Sequence, residues 1–161
     1  AGKQLLLLGL FLDRMRIRKE DYMENLPYLY GQLLKAADEL HELYCDVVRD
    51  GQKPQELVGS SMFRSVSESP LRMLPVLSQR IMPYYAWAKV YRRKSDNENR
   101  KHAARAGWLY RVCEQITTRL WNSQTVPSRF NDEEKAQLFI GYLASFSEKE
   151  MKLEEESNHE S

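Results

Sequence analysis

Apolar residues recur every three or four positions through most of the chain, and the strict alternation a half-buried strand needs is nowhere sustained. Leu26, Tyr30, Leu33, Ala37, Leu40, Tyr44 and Val47 form the longest such series, the spacing of a helix with one stripe against its neighbours. The ends of that helix are marked as well. Asn25 can cap it, Pro27 is tolerated in its first turn, and Gly51 lies just beyond, where a left-handed residue commonly closes a helix. Asp38, Glu39 and Glu42 lie off that stripe.

Four further helices follow from the same signals. A shorter one is expected after Pro54, carrying Leu57, Val58, Met62 and Phe63. Ser69 as cap with Pro70 in the first helical position opens the next, which continues past Leu74 and Leu77 to a kink or break at Pro83, with Tyr84, Tyr85, Trp87 and Tyr91 beyond it. Ser95 with Glu98 reads as a capping box for a helix carrying Trp108, Leu109, Val112, Cys113, Ile116 and Leu120. After a polar loop from Asn122 to Phe130, Asn131 with Glu134 repeats the box for a last helix whose buried stripe is Leu138, Phe139, Tyr142, Leu143 and Phe146.

Leu5 to Leu12 is too short for the ~20 residues that span a bilayer and runs into a charged stretch, so a buried helix is expected there too. The expectation is an all-α fold, a compact helical bundle of about five to six helices. One bundle domain over residues 1–147 would be followed by an acidic, flexible tail over 148–161. The chain opens Ala1-Gly2 rather than with methionine, as a piece cut from a longer polypeptide would.

Composition changes this picture little until charge is mapped. Apolar residues make up 42% and charged residues 29%, a globular balance. The net charge of +1 is an average over unequal parts. Glu148 to Ser161 holds six acids and two lysines. From Arg72 to Arg111, by contrast, ten bases face only Asp96 and Glu98. Such a cluster attracts a polyanion, because each neutralised phosphate releases condensed counterions. Arg92, Arg93, Lys94, Arg100, Lys101, Arg105 and Arg111 are the candidate phosphate contacts, with Arg14, Arg16 and Arg18 as a second patch. Trp108 or Tyr91, if exposed, could stack on an unpaired base. The plainer alternative is that the bases are a solvated face and the aromatics are core.

Catalytic and metal chemistry find no pattern. There is no phosphate-binding glycine loop, HExxH or nucleophile elbow, and Glu133-Glu134 is explained by the dipole of a helix's first turn. His41 reads as a surface or core-edge residue. Cys45 and Cys113 sit in apolar helical patterns, as core thiols of a reducing cytoplasm do, and His41, His102 and His159 have no zinc spacing to them. No enzyme activity, metal or cofactor is expected.

Three strings carry more than composition does: Leu29-Tyr30-Gly31-Gln32-Leu33-Leu34, Ser69-Pro70 with Leu71 to Leu77, and the run from Phe130 to Tyr142. In order and approximate spacing they resemble the carboxy-terminal helical region of type I-C-like CRISPR large subunits, which is also made as a separate small subunit of the RNA-guided complex Cascade. The likeness spans most of residues 26 to 146, and Arg92 to Lys101 has no clear counterpart in it. The resemblance implies a non-catalytic helical subunit, present in several copies, that packs beside other Cascade subunits and the crRNA–target DNA assembly and helps hold the displaced strand of the R-loop. It carries over no residue-level binding motif. The rival expectation is a helical adaptor whose basic surface docks on an acidic protein without touching nucleic acid.

Overall fold

A computed structural model describes residues 25–94 and 96–144. Five α-helices are found among them and no strand: α1 (Leu26–Val48), α2 (Val58–Glu68), α3 (Pro70–Tyr91), α4 (Arg100–Trp121) and α5 (Asp132–Leu143). They pack as a small all-α bundle, and none is long and apolar enough to cross a membrane. The expected helix at Leu5 to Leu12 lies outside the described residues, as does the acidic segment 148–161.

The ends of α1 are those its sequence marks. The Asn25 side chain accepts from the Tyr28 N–H at 3.2 Å, and Gly51, at φ 81°, donates its N–H to the Cys45 carbonyl at 3.0 Å. Between these caps the helix is buried far more widely than one stripe. Leu29, Leu34, Ala36 and Leu43 are buried beside the expected series, as is Asp38 at 5% exposure. A helix buried on most sides is a central one, and α2, α3, α4 and α5 all pack on it.

Backbones come close where side chains are missing. A Cβ on Gly31 would collide with the Leu138 carbonyl oxygen of α5, and one on Gly141 with the Tyr28 carbonyl oxygen of α1. The two glycines therefore let α1 and α5 cross nearly backbone to backbone, fixed by the Gln32 amide donating to the Gly141 carbonyl. That close crossing limits what α5 can bury. Leu138, Ile140 and Gly141 are buried, whereas Phe139 and Leu143, expected in its stripe, are 48% and 42% exposed on its outer side. Phe139 meets Phe63 of α2 edge to face instead. The capping box that opens α5 is present in both directions, Asn131 to the Glu134 N–H and Glu134 to the Asn131 N–H. Phe146 lies outside the described residues.

Three expectations about helix ends are corrected. Pro83 does not end its helix: α3 runs through Pro75 and Pro83, both exposed, where the carbonyls deprived of an N–H partner can meet water. Pro70 does open α3, but the Ser69 side chain makes no capping bond. The helix after it starts at Arg100, not after Ser95. Residues 96–99 form a turn in which Asn99 accepts from the Tyr91 hydroxyl at 2.8 Å and donates to Asp96 at 2.7 Å, and the Ala103 N–H bonds the Asn99 carbonyl. Those local bonds compete with a Ser95–Glu98 box, and Ser95 itself is not among the described residues.

Side-chain pairs set the helix directions. Tyr30 donates its hydroxyl to the Pro70 carbonyl at 2.8 Å, His41 stacks on Tyr84 and Tyr44 meets Trp87, so α3 runs alongside α1 in the same sense. α4 returns: Tyr85 stacks on Tyr110, and Glu39 pairs with Arg105. The C-termini of α1 and α3 and the N-terminus of α4 therefore share one end of the bundle.

Candidate nucleic-acid interface

The corner between α3 and α4 lies at that end. Lys89, Arg93, Lys94, Arg100 and Lys101 are exposed on it, and none is in an ion pair among the described residues. The acids of the connecting turn are Asp96 and Glu98, both exposed, and Asp96 already accepts from Asn99. Five cations on two helix ends joined by a short turn make a compact positive surface, and their exposure leaves them hydrated and ready to meet a phosphate chain.

The other expected contacts divide by environment. Arg92 folds back along α4: its Nε donates to the Lys89 carbonyl at 3.2 Å and its guanidinium lies 4.5 Å from the centre of the Tyr110 ring. Gly107 lies against it, and a Cβ there would meet the Arg92 Cβ at 3.4 Å, an ordinary van der Waals contact. Tyr110 in turn stacks on Tyr85 at 4.4 Å, so Arg92 caps a short column of rings with its edge still open to solvent. Arg105 is bound to Glu39 at 2.7 Å and lies over the Trp108 ring. Burial pushes the Glu39 carboxyl pKa up against the downward pull of Arg105. The short distance favours reading this as a formed ion pair that ties α4 to α1, which makes Arg105 a structural contact first.

Arg111 is half-buried, and its Nε is enclosed with no hydrogen-bond partner among the described residues. An enclosed N–H without an acceptor is unusual, and Arg111 sits on the face of α4 that also carries Arg100 and Gly107, at positions four and eleven residues apart. Arg92, lying at Gly107, falls between them. Arg14, Arg16 and Arg18 lie outside the described residues.

The aromatic platform is corrected outright. Trp108 is 4% and Tyr91 8% exposed, both in the core, so neither presents a ring face to a base. Lys89 is a corner cation that sequence reasoning missed as a site residue, although it belongs to the same acid-poor stretch.

A second polar cluster has a structural explanation. Leu57 precedes α2 and has no side-chain acceptor to offer its first N–H groups. Two residues of α1, one turn apart, supply them: Asp38 accepts from Gly59 and Ser60, and His41 Nδ1 accepts from Val58 at 3.2 Å. Gly59 has no Cβ to hold the α1 backbone away. Tyr142 of α5 completes the set on Asp38. Both thiols are buried and free, and burial pushes the Cys113 thiol up to about 12. Among the described residues no three His, Cys, Asp or Glu side chains gather as a metal site would require. Compared with known protein families, with curated proteins and with solved structures, the chain matches none.

Proposed function

We propose that this chain is a small helical subunit of an RNA-guided type I CRISPR surveillance complex, whose basic corner holds a nucleic-acid backbone while the complex opens its target. The observation that carries the reading is the set of exposed cations Lys89, Arg93, Lys94, Arg100 and Lys101 on one end of the bundle, in no ion pair among the described residues. Contacts of this kind are sequence-independent, which suits a complex in which guide pairing reads the sequence and protein–backbone contacts tip a nearly balanced strand exchange.

The resemblance supplies the assembly. Its three strings fall on α1, the start of α3, and α5, and they meet: Tyr30 bonds the Pro70 carbonyl, packs edge to face on Phe130 at 5.7 Å, and Gly31 faces Leu138. The likeness therefore rests on residues that build the core, and the corner adds the charge. No step of catalysis is assigned to the chain; strand cleavage and unwinding would belong to other components.

The test is binding to labelled single-stranded and duplex DNA across a salt series, for the chain and for a variant with Arg93→Glu, Lys94→Glu and Lys101→Glu whose helicity is verified. All three residues are exposed, so the variant should fold. Salt-sensitive binding that the variant loses supports the reading. Binding that is absent both from the chain and from its co-purified assembly overturns it.

A further inference from the structure

The outer face of α3 is built unlike a solvated surface. The helix has 22 residues and no aspartate or glutamate. Its inner side sends Leu74, Leu77, Ile81 and Ala88 into the core. Its outer side leaves Leu71, Met82 and Val90 at 53%, 54% and 70% exposure. At 3.6 residues per turn these fall within one half of the helix, together with exposed Pro75, Val76 and Pro83. Arg80 borders this strip on one edge and Lys89 on the other, with Arg72 near its middle.

A largely apolar strip whose only charges are cations fits an occupant that is apolar and acidic at once. A second copy laid α3 against α3 would set Arg72, Arg80 and Lys89 against their own kind with no carboxylate between them. The sequence holds one segment of the right chemistry, residues 148–161, outside the described residues: it combines six glutamates, three of them consecutive at Glu154 to Glu156, with Met151 and Leu153. From Ala144, at the end of α5, the ten residues to Glu154 extend up to roughly 35 Å, about three helix diameters.

We infer that residues 148–161 dock on the outer face of α3, with Met151 and Leu153 on the apolar strip and the Glu154 to Glu156 run against its flanking cations. The strip leads directly into the α3–α4 corner through Lys89. A docked segment therefore lowers the corner's affinity for a polyanion, and a polyanion must displace it; this consequence rests on the proposed function, while the docking itself does not.

Zero-length carbodiimide coupling joins a lysine amine only to a carboxyl in contact with it, so the full chain at low concentration, coupled and digested for mass spectrometry, reads the docking directly. The expected product in the monomer fraction is Lys89 joined to a glutamate between Glu148 and Glu156, lost at high salt and lost in an Arg72→Glu, Arg80→Glu variant. No such product, while these glutamates couple to other lysines or remain uncoupled, overturns the inference. The product in the dimer fraction alone overturns it too, because the occupant is then a second copy's segment. A full-length Glu154→Gln, Glu155→Gln, Glu156→Gln variant should bind labelled single-stranded DNA several-fold more tightly at low salt and equally at high salt. If neither protein binds DNA, the polyanion reading fails and the coupling product alone decides the docking.

Discussion

Tyr142 of α5 donates its hydroxyl to the carboxylate of Asp38 on α1 over 2.6 Å, and the same carboxylate accepts the Gly59 and Ser60 N–H groups of α2. One buried side chain thus fastens three helices. Asp38 is 5% exposed, so its charge is held by these donors and not by water. Asp38→Ala leaves the Gly59 and Ser60 N–H groups at the start of α2 without that acceptor and takes the carboxylate from the Ser60 and Tyr142 hydroxyls, which keep only each other at 2.9 Å. The expected loss is about 3 kcal/mol in urea unfolding, against about 1 kcal/mol for Tyr142→Phe, which removes one donor from a carboxylate that keeps the others. Equal losses in the two variants would mean that the helix-capping bonds contribute little.

His41 extends that arrangement into a pH dependence. Its Nδ1 accepts from the Val58 N–H, which needs the neutral ring, and burial lowers its pKa from the ordinary 6.5, with the Asp38 charge opposing. Because the folded pKa lies below the unfolded one, the unfolded chain takes up the proton first. The stabilisation is full above pH ~6.5 and is lost as pH falls from there through the folded value. Urea midpoints between pH 7.5 and 5.5 should fall in the parent and flatten in His41→Asn. An unchanged slope in the variant would place the titration elsewhere.

What the sequence made legible was local. Asn25, Gly51 and the Asn131–Glu134 box act on backbone within a few residues, so their meaning is written beside them. The role of Asp38 was not legible because its partners lie 21 and more positions away. Helical spacing put it off one stripe, but spacing cannot show that a helix is central and buried on several sides. Trp108 and Tyr91 failed for a related reason: periodicity groups residues by face without saying which face meets solvent. That the α3–α4 corner is basic was legible because α3 and the start of α4 are so poor in acids, and that imbalance survives any rotation of the helices. Arg105 is tied into the fold by Glu39, 66 positions away, a partner that no local pattern could point to.

The α1–α5 crossing makes a sharp packing prediction. Gly31 and Gly141 are each blocked by backbone of the other helix, which cannot rotate aside as a flexible side chain would. Gly31→Ala should cost about 3 kcal/mol, at or beyond the upper end of ordinary overpacking, and Gly141→Ala a similar amount. The double variant should cost less than the sum, since the first substitution already parts the helices that the second would part. Urea unfolding of the three proteins measures the coupling. Strict additivity would show that the two sites act independently.

Nucleic-acid binding and stability should separate cleanly between the corner and the core. Each of Arg93, Lys94 and Lys101 that meets a phosphate contributes about one to the slope of log affinity against log salt, so reversing any one should lower that slope by about one and leave the unfolding curve within about 0.5 kcal/mol of the parent. Trp108 should do the opposite. It is 4% exposed beneath Arg105, which is held by Glu39, and Trp108→Phe should lower stability by about 1–2 kcal/mol through lost packing. The fraction that remains folded should bind single-stranded DNA with the parent's affinity and salt slope. A Trp108→Phe protein that is fully stable yet loses DNA affinity would return the ring to the binding surface, and its buried position would then have to open when the strand arrives.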